Sequence, residues 1–178
     1  MKNVREILLL SLLTVILPAL VSCEKKADEN GATEELIVEP LVGIGPVQFG
    51  MSKEEIIEHF GQPDKIHTQT RGTKLNYVAS QGLGFEVDSE LGLQKIQCWS
   101  DNWPTRLPFA VMTFTGRTQE GIGIGVTQEE IVAAYGQPDR TSTDSNKGII
   151  QGLEYDKLRI EFALWQDKLI SMTLEAPK

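Results

Sequence analysis

The chain carries few side chains able to make or break bonds. Two histidines, His59 and His67, and two cysteines, Cys23 and Cys98, are too few in 178 residues for a structural zinc site or a disulfide framework. His59 falls near the end of a short helical pattern and His67 in the loop after it. Neither has a Cys, Asp and Ser set nearby that reads as a triad or a ligand cluster, so both are expected to be solvated surface imidazoles. The adjacent acids Glu54-Glu55 and Glu129-Glu130 are explained by helix capping and the helix dipole, without a glycosidase pair. Gly121-Ile122-Gly123-Ile124-Gly125 precedes a helix, where backbone amides attract anions. It lacks both the GK[ST] ending of a P-loop and GxGxxG spacing, and is expected to be strand and turn. No enzyme, cofactor or metal is expected.

Recognition chemistry is better represented. Strand alternation puts Trp99 and Trp165 on an outward register beside Lys95, Gln97, Glu86, Arg159 and Glu161, and Trp103 sits in the adjoining loop from Ser100 to Pro108. Tryptophan and arginine are enriched where proteins grip one another. Trp99, Trp103, Trp165, Glu86, Arg159 and Glu161 therefore form a candidate protein-binding face. The competing expectation is that these tryptophans cover the sheet edge or pack beneath the Pro104 to Pro108 connection.

Composition narrows the partners. With 17 Lys and Arg against 25 Asp and Glu the net charge is -8, which argues against a surface built to neutralise nucleic-acid phosphates. The apolar content of 40% is enough for a real core.

The N-terminus sets the compartment. Lys2 and Arg5 precede an apolar run from Ile7 to Val21, which at 15 residues is shorter than the ~20 a spanning helix needs. Leu20-Val21-Ser22-Cys23 resembles the bacterial lipobox, which implies lipidation at Cys23 after removal of residues 1–22 as a signal peptide. The mature chain is one charge more acidic, so acyl chains would anchor it without a polybasic patch. By resemblance to Gram-negative sorting patterns, Glu24 after the cysteine implies the outer membrane facing the periplasm. Residues 23–42, rich in charge and poor in aromatics, read as lipidated cysteine plus flexible tether. With Cys23 acylated, Cys98 is a lone thiol, expected in the core.

The elements that must position the tryptophans are written twice. Gly50 to Ile57 recurs as Gly125 to Val132, and Phe60-Gly61-Gln62-Pro63-Asp64 as Tyr135-Gly136-Gln137-Pro138-Asp139, each 75 positions later. Ser52 with Glu55, and Thr127 with Glu130, are capping boxes; Gly61-Gln62-Pro63 and Gly136-Gln137-Pro138 stop each helix after about two turns. Alternating strands follow, including Leu158-Ile160-Phe162-Leu164 on one face and Arg159-Glu161-Ala163-Trp165 on the other. The expectation is an α+β fold: two tandem helix-plus-antiparallel-sheet repeats, 43–117 and 118–178, sharing one curved sheet with helices on one face.

The repeated Gly-x-[Ser/Thr]-x-Glu-Glu-Ile, aromatic and Gly-Gln-Pro pattern resembles the unit of the β-lactamase-inhibitor proteins and of the small lipoprotein of the outer-membrane β-barrel assembly machinery. The resemblance covers about 43–178. It implies a concave sheet face that binds another envelope protein, with a structural role in outer-membrane assembly or envelope integrity as the alternative.

Overall fold

In the computed structural model, which describes residues 35–145 and 149–178, both capping boxes form in full. The Ser52 N–H donates to Glu55 Oε2 at 2.8 Å while the Glu55 N–H donates back to Ser52 Oγ at 3.3 Å. Thr127 and Glu130 repeat the exchange at 2.7 and 3.3 Å. The helices they open, Lys53–Phe60 and Gln128–Tyr135, end at Gly61 and Gly136, whose φ of 77° and 79° suits glycine.

In chain order the elements are β1 (Ile37–Glu39), β2 (Gly43–Ile44), β3 (Val47–Gln48), α1 (Lys53–Phe60), β4 (Lys65–Gln69), β5 (Gly72–Tyr77), the one-turn α2 (Val78–Gln81), β6 (Leu83–Asp88) and β7 (Gly92–Trp99). There follow β8 (Arg117–Thr118), α3 (Gln128–Tyr135), β9 (Arg140–Asp144), β10 (Ile150–Tyr155), β11 (Ile160–Trp165) and β12 (Lys168–Glu175). Eight strands form one antiparallel sheet in the order β4-β5-β6-β7-β12-β11-β10-β9. Its centre is the β7–β12 pairing, with Cys98 opposite Met172 and Ile96 opposite Leu174.

Eight-residue helices are unstable alone and must dock. Ile56 and Ile131 are fully buried, each contributing roughly 1.5 to 3 kcal/mol by leaving water. Phe60 packs on Tyr77 and Phe85 with ring centroids 5.9 and 5.3 Å away; Tyr135 packs on Tyr155 and Phe162 at 5.7 and 5.6 Å. The chain entering each helix is clamped to a strand start. Gly50 N–H donates to the Leu93 carbonyl and Leu93 N–H to that of Met51, at 3.0 and 2.8 Å; Gly125, Leu169 and Val126 make the same exchange at 2.8 Å each. Since the Gly125 amide is spent on Leu169, the glycine run serves as turn and strand contact.

The expected α+β fold, two helix-plus-sheet repeats with helices on one face, is corrected: the chain is mostly β, in two sheets. A second sheet, ordered β3-β2-β1-β8, is antiparallel except for the parallel pairing of β1 with β8. Its Val38, Ile44 and Val47 share the core with Phe114, Ile122 and the inward residues of the large sheet, so the helices do not cover that core alone. Pairs of two- or three-residue strands far apart in sequence have no periodicity to betray them. The tether expected over 23–42 also stops short, because Val38 is fully buried in β1. Cys23, the signal segment and the rest of the tether up to residue 34 lie outside the described residues. Further along, His67 belongs to edge strand β4 instead of a loop, and Arg159 stands in the turn before β11 with φ 50° instead of in the strand.

Candidate functional site

The alternation that buries Tyr77, Phe85, Ile96, Phe162 and Leu174 turns their neighbours to the other face of the large sheet. Cross-strand register then fixes who meets whom. Glu86 lies opposite Lys74 and Lys95; Thr173 lies opposite Gln97 on one side and Glu161 on the other; Glu161 in turn faces Glu154, and Ser171 faces Trp99.

Most charges on this open face are paired. Lys74 reaches Glu86 at 2.6 Å, Lys95 and Arg159 reach Glu175 at 3.2 and 2.7 Å, and Arg140 reaches Glu154 and Asp156 at 2.6 and 2.7 Å. Glu161 makes no ion pair or hydrogen bond with any described residue. Its carboxyl is held above the usual carboxylate range, first by desolvation and then by the charges of Glu154 and Glu175, with Lys95 opposing them.

Trp99 closes β7, and its ring meets that of Trp103 with centroids 5.4 Å apart at 42°. Both Nε1 atoms are shielded from solvent and donate to no partner among the described residues. Gln97 and Trp99 stand between two hollows. One, about 360 Å³, is lined by Trp99, Trp103, Glu161, Thr173, Ser142 and Gly152 among others. The other, about 460 Å³, has Phe109, Val78, Lys74, Glu86 and Gly84 in its walls. A third depression of about 490 Å³ brings Arg159 beside Glu161, Arg140 and Glu175.

The structure thus gathers Trp99, Trp103 and Glu161 in one hollow, with Glu86 across Trp99 and Arg159 in the adjoining depression. Trp165 is not in any of these hollows: it is half-buried at the end of β11, opposite Lys168. Trp103 packs against Trp99, so the reading of tryptophans held by the connection describes part of their environment, but both rings still wall an open hollow. Three contributors, Phe109, Gly84 and Gly152, escaped the sequence. Phe109 is 50% exposed and leans over the first half of the face from a connection without regular structure. Gly84 and Gly152 keep the floors low: a Cβ at Gly152 would collide with Ser142 Oγ, and one at Gly84 would sit 3.8 Å from Trp99 Nε1. A glycine inside a strand is the signal that could have marked them.

His67 lies exposed opposite Lys74 on the open face, whereas His59 is exposed in the last turn of α1, so the histidines are not brought together. Among the described residues, no three His, Cys, Asp or Glu side chains are grouped to hold a metal, and no helix is long and apolar enough to cross a membrane. Cys98 is fully buried, which pushes its thiol pKa far up and leaves it a packing residue. The face thus holds aromatic walls, polar floors and, among the described residues, a carboxylate without an ion pair, Glu161.

No protein-family model matches the chain, and no curated protein matches it. Among solved structures it is similar to an extracellular protein containing a SCP domain from Bacillus anthracis strain Ames, with 11% identity and a TM-score of 0.44 over 88% of this chain and 50% of that one. The chain spans about half the length of that protein, and a likeness of this size assigns no function.

Proposed function

We propose that this is a lipid-anchored envelope protein, tethered through Cys23, that acts as a non-catalytic protein-binding module through the open face of its eight-stranded sheet. The observation that carries the reading is the Trp99–Trp103 pair, whose ring nitrogens have no acceptor among the described residues and which walls an open hollow. A tryptophan recruited only to fill a core normally finds a partner for its N–H, since a shielded, unpaired donor costs about 1 to 3 kcal/mol. The lipobox-like ending at Cys23 supports the membrane tether, and the acidic balance argues for protein over nucleic acid. The test is a pull-down from detergent-solubilised membranes with the wild-type chain and Trp103→Ala. A partner held by the first and lost by the second supports the reading, and its identity separates inhibition of an envelope enzyme from a part in outer-membrane assembly. Equal retention by both would contradict it.

A further inference from the structure

Among the described residues, one glutamate of the open face stands without an ion pair. Of the face's glutamates, Glu86, Glu154 and Glu175 each hold a lysine or arginine, whereas Glu161 holds none among the described residues. Three cations around it are committed elsewhere, Arg140 to Glu154 and Asp156, and Lys95 and Arg159 to Glu175, while Lys178 lines the adjoining depression without an ion pair to Glu161. Glu161 nevertheless projects into the same hollow as Trp99 and Trp103, where aromatic faces favour a cation and partial desolvation penalises a carboxylate left alone.

Resting on the reading of this face as a protein-binding surface, we infer that the hollow walled by Trp99, Trp103 and Glu161 receives the lysine or arginine side chain of a partner protein. Its volume of about 360 Å³ accommodates such a side chain. Glu161 supplies the counter-charge, the Gln97 and Thr173 oxygens supply further acceptors for the cation's several N–H donors, and the indole rings cover its apolar stem. Complementarity also holds at long range, since a chain of net charge -8 draws basic segments toward it and repels acidic ones.

The experiment presents the full chain, solubilised in detergent, with an immobilised random pentapeptide library, and reads the composition of the retained peptides. The inference requires enrichment of Lys and Arg. It also requires that Glu161→Gln weaken the best retained peptide about tenfold or more at unchanged Tm, the scale of a desolvated charge pair. Thr173→Lys, which supplies a resident cation directly across from Glu161, should abolish that binding. Peptides that depend on Trp103 but show no basic preference, or that ignore Glu161→Gln, would overturn this inference and leave the open-face reading standing. Peptides indifferent to both Trp103→Ala and Glu161→Gln, or none retained, would overturn both.

Discussion

Trp99 and Trp103 meet with ring centroids 5.4 Å apart, one at the end of a central strand and the other in the connection that follows, and neither ring nitrogen has an acceptor among the described residues. Stability and binding should therefore separate at Trp103. Trp103→Ala gives up an aromatic pair, about 0.5 to 1.5 kcal/mol, well short of the roughly 3 to 5 kcal/mol for a tryptophan deleted from a core. Thermal denaturation is expected to show a small shift, with a loss of partner affinity on the order of 2 kcal/mol. A collapse in stability would return the pair to the role of packing.

The capping boxes predict matched effects in both halves. Ser52→Ala and Thr127→Ala should each cost about 0.5 to 2 kcal/mol in denaturant unfolding. Hydrogen bonds from Ser52 and Thr127 lower the carboxyl pKa values of Glu55 and Glu130 in the folded chain. The stability they contribute is therefore full above the unfolded glutamate value and is lost as pH falls through the lowered folded values. Glu55→Gln with Glu130→Gln should flatten that part of the acid limb, and an unchanged acid limb would contradict the linkage.

Two tyrosines tie the helix ends to the large sheet. Tyr77 donates to the Gly61 carbonyl at 2.7 Å and Tyr155 to the Gly136 carbonyl at 2.9 Å. Tyr77→Phe and Tyr155→Phe keep the ring contacts and should each lower stability by about 1 kcal/mol. Urea midpoints measure this, and an unchanged midpoint in either variant would show that its tie is dispensable.

These features differ in how visible they are in the chain. Capping boxes and terminal glycines are local, so Ser52, Glu55, Gly61 and their counterparts could be placed from spacing alone. The strand β11 could be seen because Ile160, Phe162 and Leu164 are buried between less buried neighbours. Edge strand β4 could not, since all five of its residues are exposed, and β9 carries little more pattern. The small sheet depends on pairing residue 38 with residue 118, a contact without local trace. At the site, the outward register of Trp99 and Glu161 follows from period two. Trp165 shares that parity but lies too near the end of its strand to reach the hollow. That Glu161, among the described open-face glutamates, makes no ion pair depends on where Arg140, Lys95 and Arg159 end up, which only the folded sheet decides.

The tether has its own test. Cys23→Ser should abolish incorporation of labelled fatty acid and leave the precursor unprocessed or released from the membrane fraction. Unchanged fractionation of the variant, with no label in the wild type, would remove the lipid anchor from the account.

The measurement closest to the central claim is site-specific photo-cross-linking in intact envelopes, with the photoreactive residue at exposed Phe109 beside the open face or at Glu58 on the exposed side of α1. Adducts to a protein partner from position 109, diminished by Trp103→Ala, and none from position 58 are the predicted result. Adducts from position 58 with none from position 109 would place the binding surface on the helix side and contradict the account.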